Sequence, residues 1–329
     1  MCFGMEEDMS EFLSDTLAYA GRLLDSEELG KSSSGGAFTA LSNWAFSNDY
    51  IVVCSSYDYD QHAQVFKFVD NIEKRNDARG SKYVQAIPNI PYHEMEQWIL
   101  DNTEKKILFV GMGCQVAAVA KYAEIKGIRK HFLLVDIICH GVASPRIWKE
   151  YIQNIETNNG KICYINFKDK RFGWDSPVAV ASTKQKEIDL TPYVNLFYSG
   201  DILRPSCSQC PYATTERVSD ITIGDFWGIR EHVPDFYDNR GTSLFLIHTE
   251  DGEKVFGEIK NQLNWRKSNI QDSLQPNLCR PTKVNPDRNS FWKDYFKYGI
   301  GYVTKKYGQP KLTQKIVRKV KKMLKSIRV

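Results

Sequence analysis

The order of apolar and polar positions predicts alternating strands and helices over the first half of the chain. Apolar runs at residues 49–56, 106–111 and 131–139 have the length and β-branched content of buried strands. Helical spacing follows the second and third runs, at 115–125 and 145–155. Strands and helices at this spacing form βαβ units. The pattern therefore predicts an α/β fold with a mixed, largely parallel sheet and helices on both faces.

The pattern changes along the chain and predicts four units. Residues 1–30 have near-helical spacing and are predicted to be a helical lead-in, and the strands become more frequent after about residue 157. The predicted units are the lead-in at 1–30, an N-terminal domain at 31–105, a second domain at 106–290, and a C-terminal extension at 291–329. The second domain ends in a proline-rich stretch at 270–290, predicted to be a surface excursion or linker.

Composition favours a folded protein of about two domains. The chain has 329 residues, of which 42% are apolar and 26% charged, so global disorder, collagen and coiled coil are excluded. The net charge of +4 is too balanced to indicate nucleic acid, and the basic excess is not interleaved with aromatic residues. The sequence therefore predicts no nucleic-acid partner.

The basic excess lies at the C-terminus. Residues 309–329 hold eight basic side chains and no acidic one, and their apolar residues fall on one helical face. Such a helix is typical of peripheral contact with a membrane, here through residues 311–329, or of docking to an acidic partner. The alternative is a helix that packs on the protein's own surface.

The sequence predicts a cytoplasmic location, where any peripheral contact of the basic tail would be with the inner face of the membrane. The first residues lack a basic region followed by an apolar run, which is typical of an export signal. No apolar stretch reaches the roughly 18 residues of a membrane span.

Eight cysteines in a reducing compartment favour metal or cluster chemistry over disulfides. Cys114 and Cys139 each follow a predicted strand, and Cys207 and Cys210 form a C-x-x-C pair in a proline-flanked loop. The carboxyl ends of parallel strands meet at one edge of a sheet, so these four thiols are candidate ligands of one centre. Four thiolates suit a four-iron cluster or a zinc ion. The single, widely separated Cys114 and Cys139 favour the cluster.

Three further segments are candidates for binding a phosphate or a flavin. Ser33, Ser34, Gly35 and Gly36 precede an apolar helix, whose N-terminus is suited to a phosphate. Arg79 and Lys82 lie in a short glycine loop, and Asp225 ends a predicted strand before Phe-Trp-Gly. An ordinary helix cap, a solvated loop and core packing are the respective alternatives.

Six collinear motifs together resemble the beta-subunit family of coenzyme F420-reducing hydrogenase and F420-dependent formate dehydrogenase. They are Ser33-Ser-Gly-Gly, Arg79-Gly-Ser-Lys-Tyr, Leu108-Phe-Val-Gly-x-x-Cys-Gln, Asp136-x-x-Cys-His-Gly-Val-x-Ser-Pro, Arg204-Pro-Ser-Cys-x-x-Cys and Asp220-Ile-Thr-Ile-Gly-Asp-Phe-Trp-Gly. They extend over about residues 30–250. The chain also resembles a bacterial branch of the family that is associated with surface polysaccharide biosynthesis.

The resemblance implies an FAD-binding iron–sulfur oxidoreductase that passes electrons between a 4Fe-4S cluster, FAD and a small-molecule or deazaflavin acceptor. It implies that the cluster ligands are Cys114, Cys139, Cys207 and Cys210. Around the FAD it implies Ser33, Ser34, Gly35, Gly36, Arg79, Ser81, Lys82 and Asp225, with His140 as a proton relay. The alternative reading of His140 is a structural histidine.

Three departures from the family pattern bear on activity. The family's cysteine-rich ferredoxin-like module has no counterpart before Ser32, so an external, ferredoxin-like electron donor is implied. The family's Gly-Thr-Pro-Cys is Gly111-Met-Gly-Cys here, and its Phe-Arg is Phe167-Lys168. The alternative function is a non-redox binding or scaffold protein of a polysaccharide assembly, with a structural zinc ion or a vestigial site.

Overall fold

The computed structural model describes residues 16–86 and 90–309. Its strands, in chain order, are β1 (Leu17–Leu23), β2 (Tyr50–Asp58), β3 (Ala63–Val69), β4 (Lys106–Met112), β5 (Phe132–Ile137), β6 (Ile162–Asp169), β7 (Val178–Thr183), β8 (Glu187–Asp189), β9 (Ile221–Asp225), β10 (Ser243–Ile247) and β11 (Leu263–Ser268). Its α-helices are α1 (Ser26–Lys31), α2 (Ala37–Ser47), α3 (Ile72–Ala78), α4 (Tyr92–Asp101), α5 (Gly113–Ile125), α6 (Pro145–Asn159), α7 (Thr191–Ser199), α8 (Ile229–His232), α9 (Glu250–Ile259), α10 (Ile270–Ser273), α11 (Pro276–Cys279) and α12 (Arg288–Tyr307).

Eight strands form the main sheet, in the order β11-β1-β10-β9-β5-β4-β2-β3. The central strands β9, β5, β4 and β2 are parallel to one another. Antiparallel strands extend both flanks, with β3 on one side and β10, β1 and β11 on the other. The predicted mixed α/β class is confirmed, and its parallel part is the centre of the sheet.

Helices cover both faces of this sheet because its central strands are apolar on both sides. On β4, Leu108 faces the cluster that includes α2 and α9, whereas Phe109 faces the cluster that includes α4 and α5. Both side chains are fully buried. Full burial on both faces fixes the register of the central strands, and therefore fixes where their carboxyl ends stop.

A second, smaller sheet of order β6-β7-β8 packs with α6, α7 and α12 around its own aromatic core. Trp148 and Tyr193 lie at the centre of this core and are fully buried, with ring centroids 4.6 Å apart. This unit borders the carboxyl ends of the main sheet and supplies one wall of the cleft described below.

Part of the predicted helical lead-in is wrong. Residues 17–23 form β1, which pairs with β10 and β11. Its residues alternate in the manner of a strand, because Tyr19 belongs to one core cluster while Ala18 and Ala20 belong to another. Residues 1–15 lie outside the described residues.

The predicted division between residues 105 and 106 stays a prediction, and strands from both sides of it pair in the main sheet. The predicted basic helix at 311–329 lies outside the described residues. No helix in the described ranges is both long and apolar enough to cross a bilayer.

Candidate functional site

A cleft opens at the carboxyl ends of the parallel strands, where ligands of such sheets usually bind. Its inner cavity, of about 330 Å³, is bounded by the ends of β4, β5 and β9, by the middle of β2 and by the first turn of α2. Of the predicted residues, it is lined by Ser33, Ser34, Gly36, Arg79, Ser81, Lys82, Cys139, His140 and Asp225. The fold therefore brings together segments that are up to about 190 residues apart in sequence.

The serine loop, residues 32–36, is held against the sheet by its glycines. A Cβ on Gly35 would lie 2.3 Å from the carbonyl oxygen of Gly21 and 2.4 Å from the amide nitrogen of Ser243. Gly36 has a left-handed φ of 88° and caps the N-terminus of α2. Gly36 lines the cavity whereas Gly35 does not, so close packing explains the need for glycine at 35.

The serine loop and the arginine loop, residues 79–82, are joined by a hydrogen bond. The amide nitrogen of Ser81 donates to Ser33 Oγ at 2.8 Å. The Ser34 hydroxyl donates to the carbonyl oxygen of Thr242 at 2.9 Å, which fixes the other side of the serine loop. The two predicted phosphate-binding segments are thus one continuous wall of the cleft.

This wall carries an excess of positive charge. Glu28 of α1 accepts from Arg75 at 2.9 Å and from Arg79 at 2.8 Å, so one carboxylate faces two guanidinium groups. Arg75 is almost fully buried, and its Nε and one terminal nitrogen have no partner in the described structure. Arg75 lies behind the wall and lines neither cavity, so the wall itself presents two cations, Arg79 and Lys82, which suit a diphosphate.

The ammonium group of Lys82 turns back onto its own loop. Its Nζ donates to the carbonyl oxygen of Ala78, the last residue of α3, and to that of Gly80 at 3.0 Å. Burial lowers the Lys82 pKa to about 8. Lys82 therefore caps the C-terminus of α3 while it lines the cavity.

Asp225, at the end of β9, links the two sheets across the cleft. One carboxylate oxygen accepts from Lys168 of β6, and the other accepts from Trp174 Nε1 at 2.9 Å. Burial raises the pKa of Asp225, but the charge and hydrogen bond of Lys168 and the bond from Trp174 outweigh it, so the net pKa is lowered. The carboxylate is therefore ionised at neutral pH and both its oxygens have protein donors.

His140 presents an unpartnered nitrogen at the inner cavity. The Thr282 hydroxyl donates to the His140 carbonyl oxygen, so its oxygen can only accept from His140 Nδ1, which lies 3.3 Å away. This contact favours the tautomer with the proton on Nδ1. His140 Nε2 is buried and has no partner among the described residues, and burial lowers the pKa of the ring.

The structure brings the four predicted cysteines into one neighbourhood. Burial raises the pKa of Cys139 to about 12, and the nearby thiols of Cys114, Cys207 and Cys210 contribute to the increase. All four are free thiols. Cys114, in the first turn of α5, is exposed to solvent, whereas Cys139 lines the inner cavity. The set therefore extends from the protein surface to the cleft.

These thiols are neighbours without being arranged around a single ion. Within residues 16–86 and 90–309, no three His, Cys, Asp or Glu side chains form a group that could hold a metal ion. A tetrahedral zinc site needs its sulfur atoms roughly 3.8 Å apart, given Zn–S bonds of about 2.3 Å. A four-iron cluster is a larger body and separates its cysteine ligands more widely. Four thiolates are suitable donors for both the predicted cluster and a zinc ion.

A buried ion pair lies beneath the three segments that carry these cysteines. Arg217 donates to Asp136 at 3.0 Å, and both side chains are almost fully buried. Asp136 lies three residues before Cys139, and Arg217 lies seven residues after Cys210. Gly113 is the residue before Cys114. A Cβ on Gly113 would lie 3.1 Å from the Arg217 guanidinium and 3.2 Å from the Asp136 carboxylate.

An outer cavity of about 1100 Å³ adjoins the inner one and shares the serine and arginine loops with it. Its wall includes Gln64 of β3, which is almost fully buried. Gln64 Oε1 accepts from Ser55 at 2.8 Å, while its Nε2 has no partner in the described structure. Gln64 therefore has a buried amide donor without a partner beside the outer cavity.

Sequence reasoning missed several residues of the site. Gln275 and Asn277 line the inner cavity, and Thr282 orients His140, although residues 270–290 are predicted to be a surface excursion or linker. Buried apolar side chains in this segment, Ile270 and Leu278, correct that prediction. The proline-rich composition gave no local signal for burial. Two aromatic residues outside the predicted set, Tyr198 and Trp227, also line the inner cavity.

Comparison with known proteins agrees with the predicted family. A family model that describes the C-terminal part of the beta subunit of coenzyme F420 hydrogenase/dehydrogenase matches residues 104–273. A chain of the F420-reducing [NiFe] hydrogenase complex from Methanosarcina barkeri is similar in fold, with a TM-score of 0.51 and 16% identity over 88% of this chain and 90% of that one. The comparison with curated protein sequences finds no match.

Proposed function

Because the chain belongs to the coenzyme F420 hydrogenase/dehydrogenase beta-subunit family, we propose that it is an FAD- and iron–sulfur-dependent oxidoreductase. Cys114, Cys139, Cys207 and Cys210 would hold a 4Fe-4S cluster, and the cleft would hold FAD. The observation that carries the proposal is that the four thiols extend from solvent at Cys114 to the inner cavity at Cys139. Electrons from an external donor protein need such a continuous route to a flavin.

The charge of the cleft supports a particular orientation of the FAD. The excess of positive charge lies at the serine and arginine loops, which are shared by the two cavities. A diphosphate bound there would leave the inner cavity for the flavin ring and the outer cavity for the adenosine. The ring would then lie beside Cys139 and His140, which both line the inner cavity.

Each bound group would supply known chemistry: a cluster transfers single electrons, and a flavin couples them to hydride transfer. The chain's own residues orient the ring, exclude water and hold a proton. His140 Nε2, which has no partner among the described residues, would accept that proton at the cavity wall. A small-molecule or deazaflavin acceptor would take up the hydride at the ring in the inner cavity.

Anaerobic purification tests the proposal directly. We expect a brown protein with about four irons, about four acid-labile sulfides and one FAD per chain. Cys139→Ser should lose most of its iron, whereas Cys163→Ser is a matched control because Cys163 is an exposed thiol on the small sheet. His140→Gln should keep iron and FAD but slow flavin turnover with an artificial acceptor.

Two results would contradict the proposal. A chain that takes up neither iron nor flavin on anaerobic reconstitution cannot be this oxidoreductase. One zinc ion per chain without acid-labile sulfide would instead support the alternative of a non-redox scaffold with a structural metal site.

A further inference from the structure

A lysine of the smaller sheet unit contacts the serine loop. Lys170 comes directly after β6, in the connection to β7, and lines the outer cavity. Its Nζ donates to three backbone carbonyl oxygens, those of Leu29 at 2.8 Å, Ser34 at 2.8 Å and Arg240 at 2.6 Å. One ammonium group therefore joins α1, the serine loop and the segment before β10 to the smaller sheet unit.

These three contacts use the full donor capacity of Lys170. A protonated lysine carries three N–H bonds, and each of them has a carbonyl acceptor here. Lys170 can therefore donate to a ligand in the cavity only by giving up a backbone contact. A neutral amine carries two N–H bonds and would leave one of the three carbonyl oxygens without this donor. The contacts thus need the charged form of the side chain.

The turn at residues 238–241 packs against the serine loop at the point where Lys170 binds. A Cβ on Gly241 would lie 2.7 Å from the carbonyl oxygen of Ser34 and 3.3 Å from Lys170 Nζ. The same turn is bonded to the β6–β7 connection, since the amide nitrogen of Trp174 donates to the carbonyl oxygen of Asn239 at 2.6 Å. The backbone of the serine loop is therefore fixed on this side by the smaller sheet unit.

The serine loop has a hydroxyl group suited to a ligand. Ser33 Oγ accepts from the amide nitrogen of Ser81, which leaves the hydroxyl hydrogen of Ser33 to donate. Ser33 lines both cavities, where the diphosphate of FAD is proposed to bind. The position of this hydroxyl depends on the loop backbone, which Lys170 holds at the next residue, Ser34.

We propose that Lys170 is a positioning residue for the diphosphate of FAD, which holds the backbone of the serine loop and does not itself bind the diphosphate. This inference rests on the proposed function, because it assumes that FAD binds in the cleft. The positive charge of Lys170 also adds to the attraction that Arg79 and Lys82 exert on the diphosphate. The FAD site thus depends on both sheets.

The same residue should make FAD binding depend on pH. Burial lowers the pKa of Lys170 to about 8. The charged groups around it are of both signs: Asp225 and Asp238 raise this pKa, whereas Lys168 and Arg240 lower it. On α1, Lys31 is paired with Glu27 and Glu28. A bound diphosphate favours the charged form of Lys170, so FAD binding takes up a proton wherever the free protein holds Lys170 neutral. The affinity for FAD should therefore fall as the pH rises above about 8.

Fluorescence titration of the full chain with FAD, after removal of bound flavin, tests this role. Lys170→Met should lower the affinity for FAD about 10-fold at neutral pH, as expected for the loss of one charged hydrogen-bonding group. Lys170→Arg keeps a positive charge and several N–H donors, so it should retain more of the affinity. Its affinity for FAD should depend less on pH than that of the wild type, because arginine does not titrate in this range. Lys82, whose pKa is also about 8, accounts for the remaining dependence.

Lys184→Met is the matched control, because Lys184 is exposed in the turn between β7 and β8 of the same unit. It makes the same change in net charge and should bind FAD like the wild type at every pH. The affinity for riboflavin, which lacks the diphosphate, should change little in all three variants. Circular dichroism and urea unfolding establish that each variant is folded.

Three outcomes would overturn the inference and leave the proposed function intact. They are wild-type affinity for FAD in Lys170→Met, an equal loss of affinity for FAD and riboflavin in that variant, and a wild-type pH dependence in Lys170→Arg. The last of these decides the matter even if Lys170→Met does not fold. A wild-type chain that binds no flavin contradicts the proposed function itself, so the two failures are distinguishable.

Discussion

At the scale of single residues, the chemistry of the site depends on side chains buried behind it. Arg217 and Asp136 form an ion pair that is shielded from solvent, since their side chains are only 2% and 1% exposed. This pair joins the strand before Cys139 to the segment after Cys210. Gly113 packs against both charged groups, so the cysteine segments share a charged support.

Replacing Arg217 with Met should disturb the cysteine centre as well as the stability of the fold. The change leaves Asp136 buried without its partner. Such a change lowers the free energy of unfolding by roughly 3–5 kcal/mol. Because Arg217 supports three cysteine segments, we expect iron content after anaerobic reconstitution to fall severalfold. Iron per chain and the electron paramagnetic resonance signal of the reduced protein measure the effect.

Arg129→Met is the matched control for this variant. Arg129 donates to Asp220 at 2.9 and 3.0 Å, at the opposite end of β5 and β9 from the cysteines. The variant removes an ion pair at the other end of the same two strands. It should lower the free energy of unfolding without changing the iron content. An equal loss of iron in both variants would show that Arg217 acts only through overall stability.

At the scale of elements, the arginine loop and the serine loop act as one unit. Ser81 and Ser33 share a hydrogen bond, and Glu28 of α1 holds Arg79 in place. Neither loop alone would be a strong anion site, since the Ser34 hydroxyl and the Lys82 ammonium group donate to backbone carbonyl oxygens. Together they place guanidinium groups and serine side chains along one wall between the two cavities.

Arg79→Gln should therefore separate binding of the diphosphate from binding of the flavin ring. We expect the affinity for FAD to fall about 10- to 100-fold, because a charge-assisted hydrogen bond to phosphate contributes about 1.5–3 kcal/mol. The affinity for riboflavin, which lacks the diphosphate, should change little. Fluorescence titration with each ligand measures both.

The control for this variant is Arg240→Gln, since Arg240 lines the outer cavity but is exposed and paired with Asp238. It should leave both affinities near the wild-type values. If Arg79→Gln lowers the affinity for riboflavin as much as the affinity for FAD, Arg79 contributes to binding of the ring or to the stability of the fold. It would then not bind the diphosphate.

The elements also show what the sequence could and could not predict. Central strands such as β4 and β5 were predictable because they are buried on both faces and form continuous apolar runs. β1 was not predictable from local pattern, because its apolar spacing also fits a helix and its strand partners, β10 and β11, lie more than 200 residues away. Long-range pairing decided its conformation.

The same distinction applies to the site. Cys139 and His140 could be identified because they follow directly after a strand end, where ligands of parallel sheets bind. Asn277 and Thr282 could not, because only the tertiary fold brings their segment against His140. The ion pair between Asp225, a predicted cofactor residue, and the lysine of β6 likewise depends on the packing of two sheets and has no local signal.

At the scale of the whole molecule, the cleft exists because two separate sheets meet along it. The main sheet supplies the floor through the ends of β2, β4, β5 and β9, and the unit around β6 supplies one wall. Asp225 of the main sheet contacts two residues of the opposite unit, Lys168 and Trp174. This junction lies at the cavity wall, so sheet packing and ligand binding should be coupled.

Asp225→Asn tests that coupling. The variant keeps the size of the side chain but leaves the ammonium group of Lys168 largely buried without a counter-charge, so we expect a loss of roughly 3 kcal/mol in the free energy of unfolding. FAD should dissociate faster because the wall is less firmly held. The double variant Asp225→Asn with Lys168→Met removes the unpaired charge. Its free energy of unfolding should be higher than that of Asp225→Asn by about 1 kcal/mol or more, as expected for directly coupled residues.

An exposed ion pair between the same two parts of the molecule provides the comparison. Arg230 of α8 and Asp175 of the β6–β7 connection are paired, but their side chains are 57% and 31% exposed. Arg230→Met should lower the free energy of unfolding by less than about 1 kcal/mol, because solvent screens such a pair. Urea unfolding of Asp225→Asn, Lys168→Met, their double variant and Arg230→Met, with and without FAD, compares the two junctions. If the losses at Asp225 and Lys168 simply add, the two residues are not coupled, and their ion pair does not hold the two sheets together.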